Sequence, residues 1–327
     1  MNAKPTLLII LRSHERIRSQ YYNGIAQAFP ELTVNTVSNV ADADPYLADA
    51  NIIVTHGPHL EDKADHVFKR APKLKWIQGI GTGVDNIADR LALPADVIVT
   101  NIHGVHGAPM SEAAISLMLA LSRNLPRSLE NKARHKWENW PSRLLNEKTV
   151  GILGLGSIAE AMAPRLKALN MTVLGITSGV REVPGFDRIY DKHKLIEVVR
   201  ELDYFILLTP YNPGTHHIIN AEVLAAMKPD SYLINLARGG VVDEQALLNV
   251  LRAKRIAGAA LDVFAQEPLK PDNPLWDLED VIITCHQSAT HDNSARNNLP
   301  TIQENIRRFL AGDFKNMKNV IIRSHFQ

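Results

Sequence analysis

Arg238, Glu267 and His286 are the residues whose types and order suit a single reaction. An arginine offers a planar fork to a carboxylate or carbonyl oxygen, and a histidine gives or takes a proton near neutrality. A carboxylate beside that histidine favours its imidazolium form and fixes the ring. Such a set suits reduction of a 2-oxo acid. Each residue comes just after a predicted strand: Arg238 after Asn235-Leu236-Ala237, Glu267 after residues 261–266, and His286 after Thr284-Cys285. In an open α/β sheet ligands bind outside the carboxyl ends of the strands, so this placement sends all three toward one cleft.

A carrier for the hydride has its own signature. The apolar run 149–153 leads into Gly154-Leu155-Gly156-Ser157-Ile158-Ala159 and then a helix-like stretch, 160–170. Strand, glycines and helix in that order are the dinucleotide-binding fingerprint. The first glycine permits the tight turn, and the second lets the backbone approach a pyrophosphate. The small Ala159 lets the helix pack on the strand, and the helix N-terminus supplies amide donors. Taken alone, such a turn is equally a tight connection; about 150 residues before it and a regular β/α series after it add weight.

The elements that must position these residues alternate along the whole chain. Short apolar or β-branched runs at 7–11, 33–34, 51–55, 75–77 and 97–100 make a first α/β unit. Pro109-Met110-Ser111-Glu112 opens an apolar helix over 113–122, with a second helix expected at 127–137. Six strands are expected in the second half, at 149–153, 172–177, 204–208, 231–236, 257–263 and 281–284, which make a parallel sheet with right-handed crossovers. The helix expected at 294–311 comes after that sheet is full and is expected to return to the first unit. No internal repeat or low-complexity tract changes this reading.

Composition excludes several classes. The 327 residues allow two domains with substantial cores; 45% are hydrophobic, and the formal net charge is +1. No basic excess points to nucleic acid, and no run approaches the ~20 apolar residues of a membrane span. The run 7–11 is too short for a signal segment, so a cytoplasmic location is expected. The single cysteine, Cys285, rules out an internal disulfide; a buried structural thiol is expected there, since strand neighbours point to opposite faces. His103, His106, His216, His217 and His291 have no spacing that suggests a metal site.

The chain resembles the D-isomer-specific 2-hydroxyacid dehydrogenases, which include glyoxylate/hydroxypyruvate reductases, D-lactate dehydrogenase and phosphoglycerate dehydrogenase. The resemblance rests on Gly83-Val84-Asp85-Asn86, on Glu112 with residues 117–124, and on Val150-Gly151-Ile152-Leu153-Gly154-Leu155-Gly156. It continues through residues 235–244, through 260–264 with Glu267-Pro268-Leu269, and to His286. It implies an α/β fold of two Rossmann-like domains, with the six-stranded dinucleotide-binding sheet (102–291) inserted in a smaller flavodoxin-like substrate domain (1–101 and 292–327). It assigns Arg238 to the substrate carboxylate and carbonyl, His286 to acid/base catalysis and Glu267 to tuning that histidine. Arg238 as a surface ion-pair partner, Glu267 as a solvated acid and His286 as a structural histidine are the plainer readings of each alone.

The same resemblance places Thr82 and Gly83 amides on the substrate carboxylate and Asp262 on the nicotinamide carboxamide. It gives the cofactor Gly154, Gly156, Ser157, Ile158, Thr209, Pro210, Thr215, Leu236, Ala237 and Ser288 as further contacts. Trp137-Glu138-Asn139-Trp140 resembles the paired tryptophans of glyoxylate/hydroxypyruvate reductases, where the second lines the partner subunit's site; this implies a homodimer with Trp140 at the substrate. Core or interface packing is the plainer reading of both.

Departures from the family pattern carry information too. Where NAD-preferring members end the second strand with an acid for the ribose hydroxyls, this chain has Thr177-Ser178-Gly179-Val180-Arg181. An acid there repels a 2′-phosphate, whereas hydroxyls and an arginine bind one, so NADP(H) is favoured, with NAD(H) the alternative. The proline usual before the catalytic histidine is replaced by Cys285, and Gln287-Ser288-Ala289-Thr290 follow. Within this fold formate dehydrogenases carry Gln in place of Glu267, which argues against that chemistry. The expected reaction is reversible reduction of a small 2-oxo acid, glyoxylate or hydroxypyruvate first, to the D-2-hydroxy acid. The alternatives are a bulkier 2-oxo acid or a non-catalytic dinucleotide sensor like the corepressors that share the fold.

Overall fold

The computed structural model describes residues 4–323 and divides into two compact units, one comprising the chain up to Val105 and from Thr290 onward, the other His106–Ala289. In the first unit, strands β1 (Thr6–Ile10), β2 (Thr33–Val37), β3 (Ala50–Thr55), β4 (Trp76–Gly79) and β5 (Ile98–Thr100) form a parallel sheet in the order β2-β1-β3-β4-β5. That is the flavodoxin-like order. Its central strands read as unbroken apolar runs because both faces are covered, as parallel sheets require. The helix Ser294–Leu310 covers one face with Ala295, Ile302 and Ile306, packed with Leu7, Ile9 and Trp76. Polar bonds fix its register: Asn298 Nδ2 donates to Tyr21 Oη (2.7 Å) and Asn305 Nδ2 to Gln78 Oε1 (3.0 Å).

The second unit holds seven parallel strands: β6 (Thr149–Leu153), β7 (Thr172–Thr177), β8 (Arg188–Asp191), β9 (Tyr204–Leu207), β10 (Tyr232–Asn235), β11 (Gly258–Leu261) and β12 (Val281–Ile283). Their order is β12-β11-β10-β9-β6-β7-β8. The sheet thus has one strand more than the six expected. β8 pairs with β7 from Leu174↔Arg188 to Thr177↔Asp191. It is a four-residue edge strand, Arg188-Ile189-Tyr190-Asp191, only partly buried, and so lacks the apolar run that marks the inner strands. Inside the sheet the alternation is clear: Tyr204, Ile206 and Ile234 pack into one core layer, Phe205, Leu207 and Leu233 into the other.

Helices here begin where side chains or glycines allow. The helix Glu244–Arg252 is capped by Asp243, whose carboxylate accepts from Ala246 N (2.9 Å). The helix Leu125–Ala133 stops short of the expected 137, leaving Trp137 and Trp140 on an irregular segment. Among the described residues no helix is long and apolar enough to cross a membrane.

Candidate active site

Three loops that leave the carboxyl ends of β10, β11 and β12 build the site in the second unit. The loop after β10 is shaped by buried Asn235, whose Oδ1 accepts from Ala237 N (3.1 Å) while its Nδ2 donates to the Arg238 carbonyl (3.1 Å). The amide of Ala237 is thereby used internally. Arg238 is extended (φ −145°, ψ 150°), and its Nη1 donates to the Ala237 carbonyl at 2.7 Å. The next residue has to be glycine. A Cβ on Gly239 would stand 1.8 Å from the carbonyl carbon of Phe264, so the loops after β10 and β11 touch backbone to backbone.

That same Phe264 anchors the carboxylate. Glu267 Oε1 accepts from Phe264 N (3.0 Å), and Glu267 Oε2 meets His286 Nδ1 at 2.8 Å. Both side chains are largely shielded, with 24% and 19% of their surface exposed, so the contact is screened less than a surface pair. His286 itself is in the left-handed region (φ 51°), a conformation uncommon for a non-glycine residue and concentrated at functional positions. Its N–H donates to the Asp262 carbonyl at 2.7 Å.

Asp262 has a role that its sequence context does not announce. Only 3% exposed, its Oδ1 accepts from Thr284 Oγ1 (2.5 Å) and Gln287 N (3.0 Å), and its Oδ2 from Ser288 N (3.0 Å). A buried carboxylate accepting this many bonds is a strong clamp. It folds the 284–288 loop around His286, so Asp262 and Ser288 act as loop braces in addition to any contact with a cofactor. The signal was an acid ending a buried strand ahead of a loop with small polar residues. Cys285 corrects an expectation: it is exposed rather than buried, with Sγ 3.6 Å from Gln287 Oε1. β12 ends at Ile283, so the alternation of strand neighbours no longer governs position 285.

The glycine turn has the form that a dinucleotide requires. Gly154 has φ 98°, and a Cβ there would lie 2.6 Å from Thr209 N, so the turn tolerates no side chain. A Cβ on Gly156, in contrast, would meet nothing within 4 Å, leaving open space before the helix Ser157–Ala168. That helix has no side-chain cap. Its first-turn amides, those of Ser157 and Ile158 included, are therefore offered to an anion, as a pyrophosphate site demands. Buried Ala159 packs beneath. Among the other cofactor candidates, Thr209 backs the turn and Leu236 is buried. Thr215 Oγ1 braces its own loop, donating to the Pro210 carbonyl (2.7 Å) and accepting from Asn212 N (2.9 Å). Thr177 ends β7, Ser178 follows it, and Arg181 is ion-paired with Glu160 on the first turn of that helix.

Three assigned residues lie elsewhere. Thr82 and Gly83 belong to the first unit, on the loop after β4, where Thr82 Oγ1 donates to the Ile102 carbonyl (3.1 Å) and the Thr82 carbonyl accepts from Asn101 Nδ2 (2.6 Å). Trp140 lies at the opposite edge of the second sheet from His286, in a hollow shared with Arg143 and with Tyr232, Ala257 and Asp280, the last three of which begin or precede β10 to β12. Its Nε1 donates to the Arg123 carbonyl (3.4 Å), and the Arg127 guanidinium stands 4.9 Å from its ring centre. Arg127, with Asn131 and Lys136, also holds the Glu138 carboxyl down to about 2, so one charge network orients the whole tryptophan segment.

The chain as a whole is similar to known proteins. The pattern of the D-isomer specific 2-hydroxyacid dehydrogenase NAD-binding domain fits residues 115–288, more than half of the chain. The chain belongs to the D-isomer specific 2-hydroxyacid dehydrogenases. This is an oxidoreductase family. A glyoxylate reductase from Korarchaeum cryptofilum is 35% identical over 262 residues, which cover 78% of this chain and 79% of the relative. A D-3-phosphoglycerate dehydrogenase from Methanocaldococcus jannaschii is 36% identical over 264 residues, 78% of this chain but only 50% of the relative. The chain thus spans about half the length of the phosphoglycerate dehydrogenases it matches. Among solved structures, the NADPH-dependent glyoxylate/hydroxypyruvate reductase of Sinorhizobium meliloti, in complex with NADP and sulfate, superposes with a TM-score of 0.81 at 27% identity. The match covers 99% of this chain and 100% of that one.

Proposed function

We propose that this dehydrogenase reduces a small 2-oxo acid, of glyoxylate or hydroxypyruvate size, to the D-2-hydroxy acid, with NADP(H) favoured and NAD(H) the alternative. The observation that carries the reading is the His286–Glu267 contact at the carboxyl edge of the sheet, braced against the loop that bears Arg238. Gly154, Gly156 and the uncapped first turn at Ser157 and Ile158 are the groups to hold the dinucleotide. NADP(H) is supported by Thr177, Ser178 and Arg181 where an acid would repel a 2′-phosphate, and by the NADP bound to the Sinorhizobium meliloti relative.

A bound nicotinamide supplies the hydride to substrate C2. Arg238 binds the substrate carboxylate and carbonyl oxygen through its fork, and the Thr82 and Gly83 amides are assigned to the same carboxylate, which fixes the carbonyl for attack. Glu267 takes Nδ1 of His286, so the ring meets the substrate through Nε2. In reduction Nε2 gives its proton to the developing alkoxide; in oxidation the neutral ring takes it back. The curated relatives named as phosphoglycerate dehydrogenases favour the second reading, a bulkier 2-oxo acid.

Initial rates of NADPH and NADH oxidation with glyoxylate, hydroxypyruvate, pyruvate, phenylpyruvate and 2-oxoisocaproate test the reading. Turnover highest with glyoxylate and hydroxypyruvate is expected. A maximum at the bulky acids selects the second reading, and cofactor binding without turnover across the panel selects a dinucleotide sensor.

A homodimer is part of the proposal. Between residues 125 and 144 the side chains of Leu125, Leu129, Trp137 and Leu144 are 47%, 59%, 102% and 54% exposed, apolar surface that a second copy would cover. Trp140 on this segment is assigned to the partner's substrate site. Sedimentation is expected to give a dimer for the parent protein and a monomer for Trp137→Glu; a monomeric parent overturns the assembly. A cytoplasmic location, suggested by the single cysteine, completes the proposal.

A further inference from the structure

Arg181 is the cation assigned to a 2′-phosphate, and it already holds an anion. Its Nη2 contacts Glu160 Oε1, and the same nitrogen lies 3.4 Å from the Leu155 carbonyl, so the guanidinium rests on the glycine turn itself. Glu160 stands in the first turn of the helix that follows this turn, at the helix end that favours negative charge, and its own N–H donates to the Gly156 carbonyl at 3.0 Å. Its carboxylate is therefore fixed at its base by the helix and at its tip by Arg181.

We infer that Glu160 is an internal stand-in for the 2′-phosphate, which occupies Arg181 in the free protein and so sets how strongly the chain discriminates NADPH from NADH. A phosphate that claims Arg181 has to separate the pair and then lies near an uncompensated carboxylate. Two consequences follow. The preference for NADPH is weaker than an unpaired arginine would give, and removing the Glu160 charge strengthens it. The side chains of Arg181 and Glu160 are 51% and 44% exposed, so the competition has the modest size of a surface ion pair, about two- to fivefold in affinity. This inference rests on the NADP(H) reading above.

Calorimetric titration of the full chain with 2′,5′-ADP and with 5′-AMP tests it without turnover. Both probes carry a 5′-phosphate, so any effect of Glu160 on the helix end is common to them and cancels in their ratio. E160Q is expected to raise the ratio of 2′,5′-ADP to 5′-AMP affinity by about two- to fivefold, R181Q to lower it, and E160Q to raise it less in the R181Q background than in the parent. An unchanged ratio in E160Q, or the same gain with and without Arg181, overturns the stand-in role. If R181Q lowers the ratio while E160Q is silent, the inference alone falls. If 2′,5′-ADP binds no tighter than 5′-AMP in the parent and in E160Q, the NADP(H) reading falls with it.

Discussion

His286→Ala should lower turnover by about 10²- to 10⁴-fold, the range that a positioned acid/base supplies, while cofactor affinity stays close to that of the parent. The separation follows from the architecture. His286 is held from below by Glu267 on Nδ1 and at its backbone by the Asp262 carbonyl, whereas the glycine turn and the helix end at Ser157 are built on other strands. Loss of the imidazole would remove the proposed proton donor and leave those elements in place. Steady-state rates together with quenching of tryptophan fluorescence by NADPH measure the two effects separately. Turnover within a few-fold of the parent would remove His286 from the proton transfer, and a parallel loss of cofactor affinity would mean that the loop had collapsed.

Gly239→Ala should be nearly as damaging although the residue carries no functional group. The added methyl would meet the Phe264 carbonyl carbon at 1.8 Å and the Ala265 nitrogen at 2.2 Å, and neither can rotate aside because both are backbone. The loops after β10 and β11 must part. One side of that gap carries Arg238; the other carries the Phe264 amide that anchors Glu267. Overpacking of this kind costs about 3 kcal/mol, and displacing an arginine and a carboxylate by about 1 Å costs about 10²-fold in kcat/KM. Denaturant unfolding and kinetics on the same preparation check both. A variant with the parent's stability and rate would show that the loops have slack at this contact.

Much of this architecture is legible in the residues themselves, because its signals are local. Apolar runs such as Leu7-Leu8-Ile9-Ile10 mark strands covered on both faces, and Gly154 marks a turn with positive φ that few other residues adopt. The site residues are legible through their position after strands, since a parallel sheet gathers the ends of its strands at one edge. What escapes is whatever depends on partners distant in sequence. β8 gains its pairing from β7 rather than from its own pattern. Asp262 becomes a brace only when the loop after β12 closes over it, and Arg181 meets Glu160 only when the loop after β7 folds back on the helix. Cys285 is exposed rather than buried because β12 stops at Ile283, one residue short of the expected end, and position 285 falls in the loop.

The helix Ser294–Leu310 has a consequence for the timing of folding. It supplies Ala295, Ile302 and Ile306 to the layer over Leu7 and Ile9, and it bonds Tyr21 and Gln78 through Asn298 and Asn305. During synthesis the first five strands leave the ribosome without this cover, and residues 106–289 must follow before it arrives, which at about 5–20 residues per second takes about 10–40 s. The inserted unit needs no later segment and is free to complete itself in that interval. The oldest part of the nascent chain is therefore the last to be finished, with part of one apolar face of its sheet, the part that Tyr21 and Ile25 leave uncovered, open to aggregation or to a chaperone until the helix is released.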